Sequence, residues 1–149
     1  MTAREHHVAS AVPVAFLAVV LGHHPAVAVP LLVGVLLPEL DAVRSRTHRS
    51  WALHTLLLPA VLYVVFGRLG VFEAAPPLLD ALNFVAVGTA LHLLADYVYP
   101  RTMSHEGAVW PVRPVGFSAP WGLLWLGVSW TIQWFGYIVP ELVPWLFGL

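Results

Sequence analysis

Long apolar runs, each closed by proline, glycine or a short ionisable cluster, set the pattern of this chain. They predict five helical segments. The first runs from about Glu5 to Leu21 and stops at Gly22-His23-His24-Pro25. The second covers about Pro25 to Leu37, ending at Pro38. The third covers about Ser50 to Arg68, with Ser50 as its cap and Gly67 and Gly70 closing it. The fourth covers about Leu78 to Tyr99, between Pro76-Pro77 and Pro100. The fifth covers about Ala119 to Val139, entered through Ser118 and Pro120, and a short apolar tail, Glu141 to Leu149, is expected at a membrane interface. Crossing a hydrocarbon core takes about 20 helical residues. The third to fifth segments meet that length. The first two are short, and Gly-His-His-Pro favours two short helices over one broken span.

Composition turns this helical reading into a membrane one. Only 10% of the 149 residues are charged, against 59% apolar, and mean hydropathy is +0.80. A soluble domain carries about 25% charged residues. The expectation is therefore an all-α, polytopic membrane bundle of about five helices forming a single integral-membrane domain over residues 1–149, with the lipid bilayer as its main partner. Cysteine is absent, which excludes disulfides, thiolate zinc sites and cysteine nucleophiles. A net charge of −1 and the lack of a basic aromatic patch give no reason to expect nucleic-acid binding. The opening Met-Thr-Ala-Arg-Glu-His-His, with one arginine beside an acid and two histidines, does not resemble a cleaved signal.

Five alternating segments assign every loop to one of two sides. Arg4, Arg44, Arg46, Arg49, Arg101 and Arg113 fall on the side holding the N-terminus, and Arg68 alone falls on the other. The positive-inside rule makes the arginine-rich side cytoplasmic in a cell membrane. His6, His7, Glu39, Asp41, His48, His54, His92, Asp96 and His105 all belong to that same end, whereas His23 and His24 belong to the opposite one.

These residues carry the candidate chemistry, because imidazoles and carboxylates are costly near lipid. His92 and Asp96, four apart, share a helix face. They form either an interhelical hydrogen bond, with Asp96 accepting from His92, or part of a metal set in which one orients the other. Glu39 and Asp41 follow Pro38 in a turn where both carboxylates can face one pocket; the alternative is a pair of solvated acids beside Arg44 and Arg46. His48 and His54 lack helical chelate spacing but converge if His48 lies in the loop. Arg49 and Trp51 read as interface anchors, and Arg49 also suits an anionic substrate group. His7, at the head of the first apolar run, is the better ligand of the His6-His7 pair, and His105 lies in a polar loop with Ser104 and Glu106. No glycine-rich phosphate loop and no Gly-x-Ser-x-Gly elbow occurs.

Taken in order, Pro38-Glu39-Leu40-Asp41, His48-Arg49 with His54-Thr55, and Gly88-Thr89-Ala90-Leu91-His92-Leu93-Leu94-Ala95-Asp96 resemble the YdjM-like family of predicted integral-membrane metal-dependent hydrolases. That family shows Pro-Asp-Leu-Asp, then His-Arg with Thr-His-Ser, then Gly-x-x-x-His-Leu-x-x-Asp, and its N-terminal histidine falls on His7. Glu39 departs from the first Asp, and Leu53 from the Thr of Thr-His-Ser. The resemblance implies metal ligands His7, Glu39, Asp41, His48, His54, His92 and Asp96. Glu39 and Asp41 are then also catalytic carboxylates, and Arg49 a substrate contact.

The donor set favours zinc, then manganese or iron, as one or two divalent ions. The expected reaction is hydrolysis of an ester or phosphoester, lipid-linked given a site at the membrane interface, by metal-activated water. Two alternatives stand beside it. One is a non-catalytic protein with a structural metal or hydrogen-bonded His/Asp cluster. The other is a metal or proton transporter, which should carry polar groups through the far half of the third to fifth segments, where the sequence shows almost none.

Overall fold

The structure is a computed structural model describing residues 3–43, 52–98 and 119–149. Among these residues every regular element is helical: α1 (Ala3–Val20), α2 (Ala28–Leu36), α3 (Leu57–Arg68), α4 (Val71–Ala74), α5 (Pro77–Val98), α6 (Ala119–Gln133) and α7 (Val143–Phe147). The all-α expectation holds. Among the described residues one helical stretch, Pro77–Asp96, is long and apolar enough to cross a membrane, with mean hydropathy 1.7; His7–Val20, Pro25–Leu40 and Leu57–Arg68 are shorter apolar stretches.

The break between α1 and α2 is built as the Gly-His-His-Pro signal predicts. The Gly22 N–H donates to the Val19 carbonyl and the His23 N–H to the Ala18 carbonyl, each at 3.0 Å, which closes α1 in a Schellman motif. His24 then caps the following 3-10 turn, Pro25–Val27, by accepting from the Ala26 N–H at 3.1 Å. The start of α3 is a correction. It begins at Leu57 rather than Ser50, with Thr55 Oγ1 accepting from the Leu57 N–H at 3.2 Å. Pro59 explains the shift: in a helix begun at Ser50 it would be interior and would crowd the Thr55 carbonyl, whereas in a first turn its missing N–H costs nothing.

The tail is the second correction. The chain does not leave its helix near Val139 but continues through a π-helical segment, Trp134–Leu142, into α7. Pro140 would crowd the Gly136 carbonyl in a regular α-helix, and the wider i→i+5 turn relieves that contact. Packing then anchors the end. The Trp145 indole N–H donates to Asp80 Oδ1 at 2.9 Å, and the ring meets Phe84 edge-on at 5.1 Å.

The far half of the bundle is also more polar than the sequence pattern implied. Tyr137, fully buried, donates to Asn83 Oδ1 at 2.8 Å, Asn83 Nδ2 donates to Glu141 at 2.9 Å, and Tyr63 hydrogen-bonds Glu141. This network ties α3, α5 and the π-segment together and satisfies its own members. Tyr137→Phe leaves the buried Asn83 oxygen without this donor, which costs about 1–3 kcal/mol. A lowered melting temperature in detergent is expected, and an unchanged one would show the network to be dispensable.

The most extensive helix contact is between α2 and α5. Two glycines make it possible. A Cβ on Gly34 would overlap the Val85 carbonyl, and one on Gly88 would overlap the Leu31 carbonyl and lie 2.9 Å from the Val35 nitrogen. Backbone meets backbone here, with the fully buried Leu31 and Val35 and the buried Phe84 around the crossing. The two helices run parallel, since Gly34 and Val35 are bonded by Thr89 and His92 in the same order.

Candidate metal centre

Pro38 shapes the end of α2 and, through it, the site. Having no N–H, it offers nothing to the carbonyls three and four residues back, those of Val35 and Gly34. Both accept from α5 instead: Thr89 Oγ1 donates to Gly34 at 3.2 Å, and His92 Nδ1 donates to Val35 at 2.8 Å. A carbonyl only accepts, so Nδ1 of His92 carries the proton and Nε2 of the neutral ring presents a lone pair. The chain then enters a 3-10 segment, Leu37–Val43, which carries Glu39.

Around Asp96, in the last turns of α5, three imidazoles gather. His7 Nε2 lies 3.0 Å from Asp96 Oδ1, His92 Nε2 3.7 Å from Asp96 Oδ2, and His54 Nε2 3.9 Å from the same oxygen. The His7 and His92 rings sit 4.0 Å apart, and the His54 ring stands edge-on to His92 at 5.5 Å. All three histidines are buried, and Asp96 is partly so. On its other nitrogen His7 meets Glu39 Oε1 at 3.1 Å.

The alternating topology thus brings His7, Glu39, His54, His92 and Asp96 to one end from four chain segments. His48, Arg49 and the side chain of Asp41 lie outside the described residues, as do the side chain of His6, His105 and the arginine-rich loops. His23 is at the opposite end, against Phe84 and Trp145. Of the two readings of the His92 and Asp96 pair, the direct hydrogen bond does not form. At 3.7 Å the pair is too far apart, and the His92 donor goes to Val35.

Among the described residues, His7, His92 and Asp96 form a group that could hold a metal ion, with one ligand atom from each within 4.8 Å of the others. Metal bonds of about 2.0–2.2 Å in tetrahedral geometry put ligand atoms about 3.3–3.6 Å apart. The 3.0 Å from His7 Nε2 to Asp96 Oδ1 and the 3.7 Å from His92 Nε2 to Asp96 Oδ2 bracket that range. The donors fit as well. The His92 lone pair faces a carboxylate, and His7 has a carboxylate oxygen at each nitrogen while a neutral imidazole has one proton to give. Either a cation or a second proton on His7 reconciles these contacts.

Val35, Thr89 and Gly34 are the participants that side-chain patterning missed. Two of them act through backbone carbonyls, and the signal for both was Pro38. The chain matches no family model, no curated protein and no solved structure.

Proposed function

We propose that this chain is a polytopic integral-membrane protein of the YdjM-like kind, with five alternating segments. It binds a divalent ion at the cytoplasmic ends of its helices and hydrolyses an ester or phosphoester, lipid-linked because the site opens at the membrane interface. The observation that carries the metal reading is the His92 ring, held through Nδ1 by Val35 so that Nε2, a lone pair in the neutral ring, faces Asp96. His7, His92 and Asp96 are the ligands, and His54 completes a four-donor set of the kind zinc takes, with manganese or iron next. Asp41 and His48 are the candidates for a second ion.

The membrane reading draws on the antiparallel alternation of segments and on the apolar exterior, where Phe16, Leu21, Leu69, Phe135 and Phe147 are each at least 70% exposed. When bound, the ion supplies Lewis acidity that activates water and stabilises charge on the carbonyl or phosphoryl oxygen. The chain supplies the remainder. Asp41 takes the proton as water adds to the carbon or phosphorus centre. The bond to the leaving alkoxide breaks, and the proton passes to that oxygen. Arg49 holds the substrate anion.

A second reading, a metal-free structural cluster, is favoured by His7 alone: a doubly protonated ring would bond both Glu39 and Asp96. Metal content separates the two. Protein purified in detergent should carry about one zinc-class ion per chain, and chelation should lower its melting temperature, since a ligand at 100 times its Kd adds about 2.7 kcal/mol. Metal-free protein with a melting point indifferent to chelator would sink the reading. Hydrolysis is tested on phosphoester and lipid substrates. Turnover that is equal with and without the ion counts against a metal-dependent enzyme.

A further inference from the structure

Both histidine ligands are braced from one short piece of chain. Val35 and Glu39 lie four residues apart across Pro38. The Val35 carbonyl takes the Nδ1 proton of His92 at 2.8 Å, and Glu39 Oε1 lies 3.1 Å from Nδ1 of His7. In each ring the braced nitrogen is Nδ1, and the one left for the centre is Nε2. The two nitrogens of an imidazole point away from each other. Glu39 is therefore on the far side of the His7 ring from Asp96 and outside the three-residue group.

We propose that Glu39 is a positioning residue, neither a metal ligand nor the carrier of the water proton: its carboxylate accepts from Nδ1–H of His7 and turns Nε2 toward the ion, as the Val35 carbonyl does for His92. The inference rests on the metal reading above and changes one of its parts. A carboxylate behind a ligating histidine fixes its tautomer and raises its basicity, and removing such a partner lowers metal affinity by about 10–100-fold.

The test compares Glu39→Ala with Glu39→Gln in the full chain, using zinc alone in competition with a chromophoric chelator. It is paired with nitrogen NMR of the histidine rings in metal-free protein. Glu39→Ala should bind zinc about 10–100-fold more weakly. Glu39→Gln, whose amide oxygen still accepts from Nδ1–H, should recover most of that loss. In metal-free wild type, once the ring is neutral, His7 should be the Nδ1–H tautomer, and Glu39→Ala should mix its tautomers.

A ligand role is revealed instead if Glu39→Gln falls as far as Glu39→Ala. A proton-carrying role is revealed if both variants bind zinc like wild type and lose turnover. Either result overturns the proposal, as does a His7 tautomer indifferent to both substitutions. Wild-type protein that binds no zinc overturns the metal reading itself, and the ring spectra still report separately whether Glu39 sets the tautomer.

Discussion

His92→Ala protein should fold into a helical bundle and bind no stoichiometric metal. The substitution removes one of three clustered donors. It also leaves the Val35 carbonyl, already deprived of an N–H by Pro38, without its buried partner. Loss of an outer partner costs about 10–100-fold in metal affinity, so loss of a ligand should cost at least the upper figure. Because truncating a buried ring also leaves a cavity, Asp96→Asn provides the isosteric check. It keeps the volume and removes the charge that offsets the cation. Metal analysis of the purified variants and their helical circular dichroism are the two readouts. Stoichiometric metal retained in either variant, with helicity intact, means that the ion is held by other residues.

The features the sequence revealed well were those set by local chain chemistry. Proline and glycine punctuate α5 at Pro76-Pro77 and the α1–α2 break at Gly22 and Pro25, and the helices begin and end within a few residues of those marks. The gathering of His7, Glu39, His54, His92 and Asp96 also followed, because alternating segments fix which ends share a side. Pro59 is an equally local mark of the late start of α3, which the cap signal at Ser50 does not reveal.

What escaped was non-local or carried by the backbone. Nothing near Pro140 shows that Trp145 will pack on Phe84 and reach Asp80, which lies 65 residues earlier. The Asn83, Tyr137 and Glu141 network joins residues separated by 54 and 58 positions. The bracing of His92 was invisible to a reading of side chains, since its partner is a main-chain carbonyl. The placing of Glu39 is equally non-local: it faces Nδ1 of His7, 32 residues earlier. Its neighbours in sequence place it beside Asp41, whereas its role depends on which nitrogen of His7 it faces.

Gly88→Ala should be, with Gly34→Ala, among the most damaging single methyls at the described glycines, and it links the helix crossing to the site. The added Cβ would meet the Leu31 carbonyl and the Val35 nitrogen, both backbone atoms of α2 that no rotamer change can move aside. The helices must separate, and the first contacts to lengthen are Thr89 to Gly34 and His92 to Val35, formed one and four residues further along α5. Overpacking of a well-filled interior costs about 1–3 kcal/mol, and a backbone clash should reach the top of that range. Zinc affinity should fall as well, because His92 loses its brace. Gly127→Ala is the control. Gly127 lies within α6 with nothing within 4 Å of an added Cβ, so the substitution should be neutral or stabilise by about 0.5–1 kcal/mol. Melting temperature and zinc affinity in detergent, measured on both variants, decide the matter. A Gly88→Ala protein that melts and binds zinc as wild type does would show that the α2–α5 approach neither holds the bundle nor sets the histidine.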